Sequence, residues 1–172
     1  MYIYLRLNQQ EEYFLTDFLS NSVIETIKVS VQLSKFKSII ICCIYRPKFY
    51  IAHSYIQHMK SILYSLKNSN IPFYLCGDFN IHFENQTDTI VKSFYKMLER
   101  NNVTAEICEP TREDAILDNI ITNDSENISE KGVIHSYLSD HNACFIVKNC
   151  KKLKKIAYLD KKDAMIAWIL KI

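Results

Sequence analysis

A chain of 172 residues, 48% of them apolar, has the length of one domain and enough hydrophobic material to bury a sizeable core. Its formal charge of +2 is too close to neutral to mark a nucleic-acid binder by itself. No apolar run reaches membrane-spanning length, and Met1-Tyr2-Ile3-Tyr4-Leu5-Arg6 reads as part of a strand rather than as a signal peptide, so no membrane partner is expected.

Residues 2–7 alternate as a strand does, and so do residues 24–33, where Ile27, Val29, Val31 and Leu33 share one face. Residues 38–45 form a near-continuous apolar run, the pattern of a central strand covered on both faces, and Arg46-Pro47 ends it. From His53 to Asn68 the spacing of Ile56, Met59, Leu63 and Leu66 predicts a helix. Pro72 opens a strand over 73–76 that stops at Gly77-Asp78-Phe79-Asn80. A second helix is expected from about Thr87 to Arg100, with Ile90, Val91, Phe94, Met97 and Leu98 inward. Further strands are expected near 105–108, 117–122, 132–136 and 143–147. This alternation, ending in strands, implies an α/β fold of packed sheets with outer helices. Residues 1–148 read as the domain. Residues 149–172 read as a lysine-rich solvated linker followed by a short helix, at 161–172, that carries Trp168. Six cysteines, without metal-binding spacing, read as reduced residues of an intracellular protein, four of them inside apolar strand runs.

Three segments place polar or acidic residues where apolar packing stops: Gly77-Asp78-Phe79-Asn80, Leu117-Asp118-Asn119-Ile120 and Ser139-Asp140-His141-Asn142. Strand-end loops are where layered folds carry their sites. Asp78 and Asn80 are two residues apart, so an extended backbone points both the same way, although Asp and Asn are also turn formers. Asp118 interrupts an apolar strand, and a buried carboxylate needs a partner, which His141 can supply. Three carboxylates, an amide, an imidazole and Tyr45 at the end of the central strand suit phosphodiester hydrolysis. Hard divalent cations bind carboxylate oxygens, an imidazole takes a proton at neutral pH, and an amide can donate to developing charge. Tyr45 has a second reading, as a core tyrosine with a wet hydroxyl. Thr111 either caps the turn after Pro110 or contacts a ligand.

The order Ile44-Tyr45-Arg46-Pro47, Gly77-Asp78-Phe79-Asn80-Ile81, Pro110-Thr111-Arg112, Leu117-Asp118-Asn119-Ile120, Ser139-Asp140-His141 resembles the endonuclease/exonuclease/phosphatase superfamily, most of all the endonuclease domain of non-LTR (LINE-type) retrotransposons. The resemblance covers roughly residues 2–148 and implies a four-layered α/β sandwich that uses Mg²⁺ or Mn²⁺ to nick DNA, in the nucleus. It implies His141 as general base or phosphate contact, oriented by Asp118, and Asp140 as a metal-site carboxylate. It implies Asp78 as the group that positions or activates water or protonates the leaving oxygen. Asn80 and Tyr45 would hold the phosphate, and Thr111 and Ser139 would contact DNA. The family also begins with a strand ending in Asn and a later one ending in a metal-binding Glu. Neither has a counterpart here, and Glu11, Glu12 and Glu25 do not stand where that motif requires. The expectation is therefore an N-terminally incomplete domain of impaired activity, clustering these residues at one edge. The alternatives are a non-catalytic transposon-derived fragment and a phosphatase-type member of the superfamily.

Overall fold

The computed structural model describes residues 2–6, 13–21, 24–34, 37–135, 139–149 and 164–169. Its elements are β1 (Tyr2–Arg6), β2 (Tyr13–Asn21), β3 (Ile24–Ser34), β4 (Lys37–Tyr45), α1 (Ala52–Asn68), β5 (Phe73–Asp78), α2 (Thr89–Arg100), β6 (Thr104–Ala105), β7 (Asp118–Thr122), β8 (Ile128–Ile134), β9 (Ala143–Lys148) and β10 (Ala164–Ile169). Two sheets form, one in the order β2-β3-β4-β5-β7-β6 and one in the order β1-β10-β9-β8. The larger is mixed, because β4 and β5 run parallel and their neighbours antiparallel. The smaller is antiparallel throughout.

Strand β4 shows why this is a layered α/β sandwich. Its alternate residues serve two cores. Ile39, Ile41 and Cys43 pack with Tyr74, Cys76, Ile120, Cys144 and Ile146 between the sheets. Ile40, Cys42 and Ile44 pack under the helices with Tyr55, Met59, Leu63, Phe94 and Met97. Both faces of the strand are covered, as its unbroken apolar run requires. The β4–β5 approach depends on Gly77, opposite Ile44 in the ladder, since a Cβ there would lie 1.8 Å from the Ile44 carbonyl oxygen. Cys42, Cys43, Cys76 and Cys144 are free and buried, and Cys108 is free and exposed. Burial pushes the Cys42 thiol up to about 12, so it sits in the core as an inert group.

Two elements depart from expectation. The short helix expected at 161–172 is strand β10 instead, laid between β9 and β1 with Ile166 opposite both Ile146 and Leu5. Its apolar run does not distinguish helix from strand by period. Pairing on both sides satisfies backbone groups of β9 and β1 that a helix would leave open. Strand β2 had no expected counterpart, because a register shift between Leu15 and Asp17 breaks its alternation. The lysine-rich stretch over 150–163 lies outside the described residues. No helix among the described residues is long and apolar enough to cross a membrane.

Candidate active site

The site grows out of three strand ends. Asp78 closes β5 and Asp118 opens β7, and the antiparallel ladder sets the two directly opposite each other. His141 comes from the other sheet, two residues before β9. All three are buried, with Asp78 4%, Asp118 1% and His141 4% exposed. One ligand atom from each lies within 4.8 Å of those of the other two. The expected convergence of Asp78, Asp118 and His141 is therefore what the fold produces.

The His141 Nδ1–H donates to Asp118 Oδ2 at 2.7 Å, the arrangement that fixes the ring's orientation and leaves Nε2 free to accept a proton. This hydrogen bond raises His141 above the usual imidazole range, against the opposing effect of burial. Burial, and next the neighbouring Asp118 charge, push Asp78 up to about 6. The Asn80 backbone N–H, which donates to Asp78 Oδ1 at 2.9 Å, opposes that rise.

Asn80 has a different task from the one expected. It adopts the left-handed conformation, φ 46°, which asparagine tolerates better than most residues. Its amide nitrogen donates to the Arg46 carbonyl at 2.6 Å and to Asp78 Oδ2 at 3.1 Å. An amide has two hydrogens, so both are committed, and Asn80 orients Asp78 rather than offering a donor to a phosphate. Arg46 holds this turn. Its guanidinium donates to the carbonyls of Phe79 at 3.3 Å, Asn80 at 2.7 Å and Tyr50 at 2.8 Å, and lies over the buried Tyr55 ring. In the sequence Arg46 stands as a strand terminator and as part of the Ile44-Tyr45-Arg46-Pro47 motif, with no role of its own. The available signal was a cation beside proline at the end of a buried strand, where a charge needs partners.

The remaining expected residues fall at or beyond the rim. Tyr45 ends β4 in register with Asp78 and is 37% exposed. Thr111 is fully buried, and its hydroxyl accepts the N–H groups of Leu117 at 3.0 Å and Asp118 at 3.1 Å. The hydroxyl thus caps the start of β7 rather than the turn after Pro110, and positions Asp118 from behind. Ser139 closes its own turn, donating to the His141 carbonyl and accepting the His141 N–H. Asp140, expected as the metal carboxylate, lies outside the converging group. It is exposed and pairs with Arg112 at 2.6 Å. Adjacent residues in an open turn diverge, so placing His141 inward turned Asp140 out.

The donor set suits a divalent cation. Asp118 Oδ1 is buried with no hydrogen-bond partner among the described residues, and an orphaned carboxylate oxygen beside a second carboxylate is a natural ligand pair. Asp78 and Asp118 are the residues that would hold it.

Residues 39–145 match the family described as "Endonuclease-reverse transcriptase". No curated protein matches the chain in sequence. Among solved structures, the endonuclease domain of TRAS1, a telomere-specific non-LTR retrotransposon, superposes with a TM-score of 0.64 at 14% identity, over 94% of this chain and 70% of that one. An endonuclease/exonuclease/phosphatase family protein from Bacteroides thetaiotaomicron superposes with a TM-score of 0.52 at 10% identity, over 98% of this chain and 66% of that one. One from Leptotrichia buccalis does so with a TM-score of 0.51 at 14% identity, over 92% and 60%. The chain thus spans less than two thirds of either bacterial protein. At these identities the likeness is one of fold.

Proposed function

The chain belongs to the endonuclease-reverse transcriptase family, and from that premise we propose that its site is a phosphodiesterase centre of the non-LTR retrotransposon type, which nicks DNA with Mg²⁺ or Mn²⁺ and does so weakly as it stands. The observation that carries this reading is the buried Asp118–His141 pair beside Asp78, at ends of strands from both sheets. Such a role places the protein in the nucleus.

Bound between Asp78 and Asp118, a divalent cation would polarise a phosphoryl oxygen and offset charge on the leaving group. The neutral His141 ring accepts a proton from water, and Asp118, already bonded to Nδ1, stabilises the imidazolium that results. Asp78, with its carboxyl at about 6 in the metal-free site, would give up that proton on taking up the cation, whose charge would then stabilise the leaving oxygen. Asn80 and Arg46 keep that carboxylate in place. The expected weakness follows from the donor count. Among the described residues no glutamate joins the cluster, and Asp140 is engaged with Arg112. Both remaining carboxylates carry other loads, Asp118 bonded to His141 and Asp78 raised to about 6, so a cation must compete with an imidazole for one and with a proton for the other.

The test is nicking of supercoiled plasmid with Mg²⁺ or Mn²⁺, run beside His141→Ala and beside a version extended by an N-terminal segment bearing the family's Asn and Glu. We expect slow nicking, reduced about 10²-fold or more by His141→Ala and raised by the extension. Rapid nicking by the chain itself, lost in His141→Ala, would overturn the weak-activity reading. Absence of nicking in every version would replace the catalytic reading with a non-catalytic binding module.

A further inference from the structure

Away from the catalytic edge, helices α1 and α2 enclose a groove of about 770 Å³ on the helical layer, and neither Asp78 nor His141 lines it. The charge of this layer is one-sided. Helix α1 carries Lys60 and Lys67 and no acidic residue at all, and α2 carries Lys92, Lys96 and Arg100 against a single Glu99. Five cations to one carboxylate on two helices contrasts with a whole chain of only +2. Lys60, Lys96 and Arg100 line the groove and no acidic residue does. Among the described residues none of these three forms an ion pair.

The bland explanation, that cations complement helix C-termini, covers Lys67 and Arg100 in the last turns but not Lys60 or Lys96. Lys92, Lys96 and Arg100 are spaced by four, so they form one row along α2. Like charges at that spacing repel and weaken the helix that carries them. Lys96 and Arg100, the two members of the row that line the groove, lie about 6 Å apart by helix rise, one turn of α2. Across the groove, Tyr64 of α1 is 69% exposed, an aromatic face beside the cations. Cations in a track with an exposed ring are the elements from which single-strand binding is built, the cations following the backbone and the ring stacking on a base.

We propose that the α1–α2 groove is a binding track for single-stranded nucleic acid, separate from the catalytic edge. It does not depend on the catalytic reading, because its binding requires neither metal nor His141.

The experiment is fluorescence anisotropy of a labelled 20-nucleotide single strand with the full chain in EDTA, over a salt series. The variants are Lys60→Gln/Lys96→Gln/Arg100→Gln, Tyr64→Ala and, as control, Lys37→Gln, an exposed cation of β4 outside the groove, each with its fold checked by circular dichroism. The triple variant should weaken binding about tenfold or more and flatten the log–log salt dependence by about two. Tyr64→Ala should weaken it about fivefold or more, and Lys37→Gln should leave it within about twofold of the wild type. A folded triple variant with unaltered affinity and salt slope would overturn the proposal. A duplex bound as tightly as the single strand, with no loss in Tyr64→Ala, would overturn the single-strand assignment. Tighter binding of a poly-glutamate peptide than of the strand would assign the groove to an acidic protein partner instead.

Discussion

Asp78 costs the protein stability where its chemistry needs it. Burial and the facing Asp118 hold its carboxyl at about 6, against 3.8 for an ordinary aspartate, so the folded state favours the protonated form. Stability from that preference is fully present below about pH 4 and is lost as pH rises through 6. In metal-free buffer, Asp78→Asn should therefore be more stable than the wild type at pH 7, by on the order of 1–3 kcal/mol, with the gain absent at pH 4. Urea denaturation at the two pH values checks this, and equal stability at both would contradict the strained-carboxylate account. The residue scale is also where sequence reading was strongest and then stopped short. It picked out Asp78, Asp118 and His141 because a polar group at the end of an apolar strand is costly without a purpose. It missed that Asn80 spends both amide hydrogens on Arg46 and Asp78, since donor accounting needs coordinates.

Helices α1 and α2 start differently. Helix α1 follows Ile51, which offers no side-chain cap, and depends on Tyr55, Met59, Leu63 and Leu66 in the core. Helix α2 follows Asp88, whose Oδ1 accepts the N–H groups of Ile90 at 2.6 Å and Val91 at 3.3 Å. Asp88→Ala should cost about 1 kcal/mol, within the usual range for a lost N-cap, with little change in denaturant slope. A midpoint unmoved in urea would show that packing of Val91, Phe94, Met97 and Leu98 alone sets the start of α2. Periodicity announced both helices, because an amphipathic face repeats within a single element. It could not announce β10, whose strand state rests on partners from both ends of the described chain.

The two sheets are joined by polar pairs at opposite ends of the sandwich. At the site end Asp118 of β7 meets His141 ahead of β9. At the far end Asp124, just beyond β7, meets Lys148, the last residue of β9, and also accepts from Tyr74 and Asn127. Burial pushes the Asp124 carboxyl up, but the hydrogen bonds from Lys148, Tyr74 and Asn127 outweigh it and hold the group below the usual aspartate range. A depressed carboxylate stabilises the fold above about pH 4, and that contribution disappears as pH falls through its folded value. Asp124→Asn should be less stable than the wild type at pH 7 by roughly 1–3 kcal/mol, with the gap closing in acid. Thermal melts from pH 7 down to pH 2 read the gap directly, and a constant difference across that range would remove Asp124 from the account of acid stability.

From sequence alone follow the α/β alternation, both helices, the strand doubly buried at 38–45, the three strand-end segments and the family. Each rests on patterns local to one element or on short motifs in order. Tertiary structure alone decided that Gly77 lets β5 close on β4, that Asp78 faces Asp118 across a ladder, and that Asp140 turns outward to Arg112 while His141 turns in. It also decided that 164–169 is a strand and that Thr111 supports Asp118 from beneath. The physical reason is the same in each case. A residue's own neighbours determine its preferred backbone and its face, whereas its hydrogen-bond partner, its ionisation and its burial depend on segments tens of residues away that the fold brings beside it.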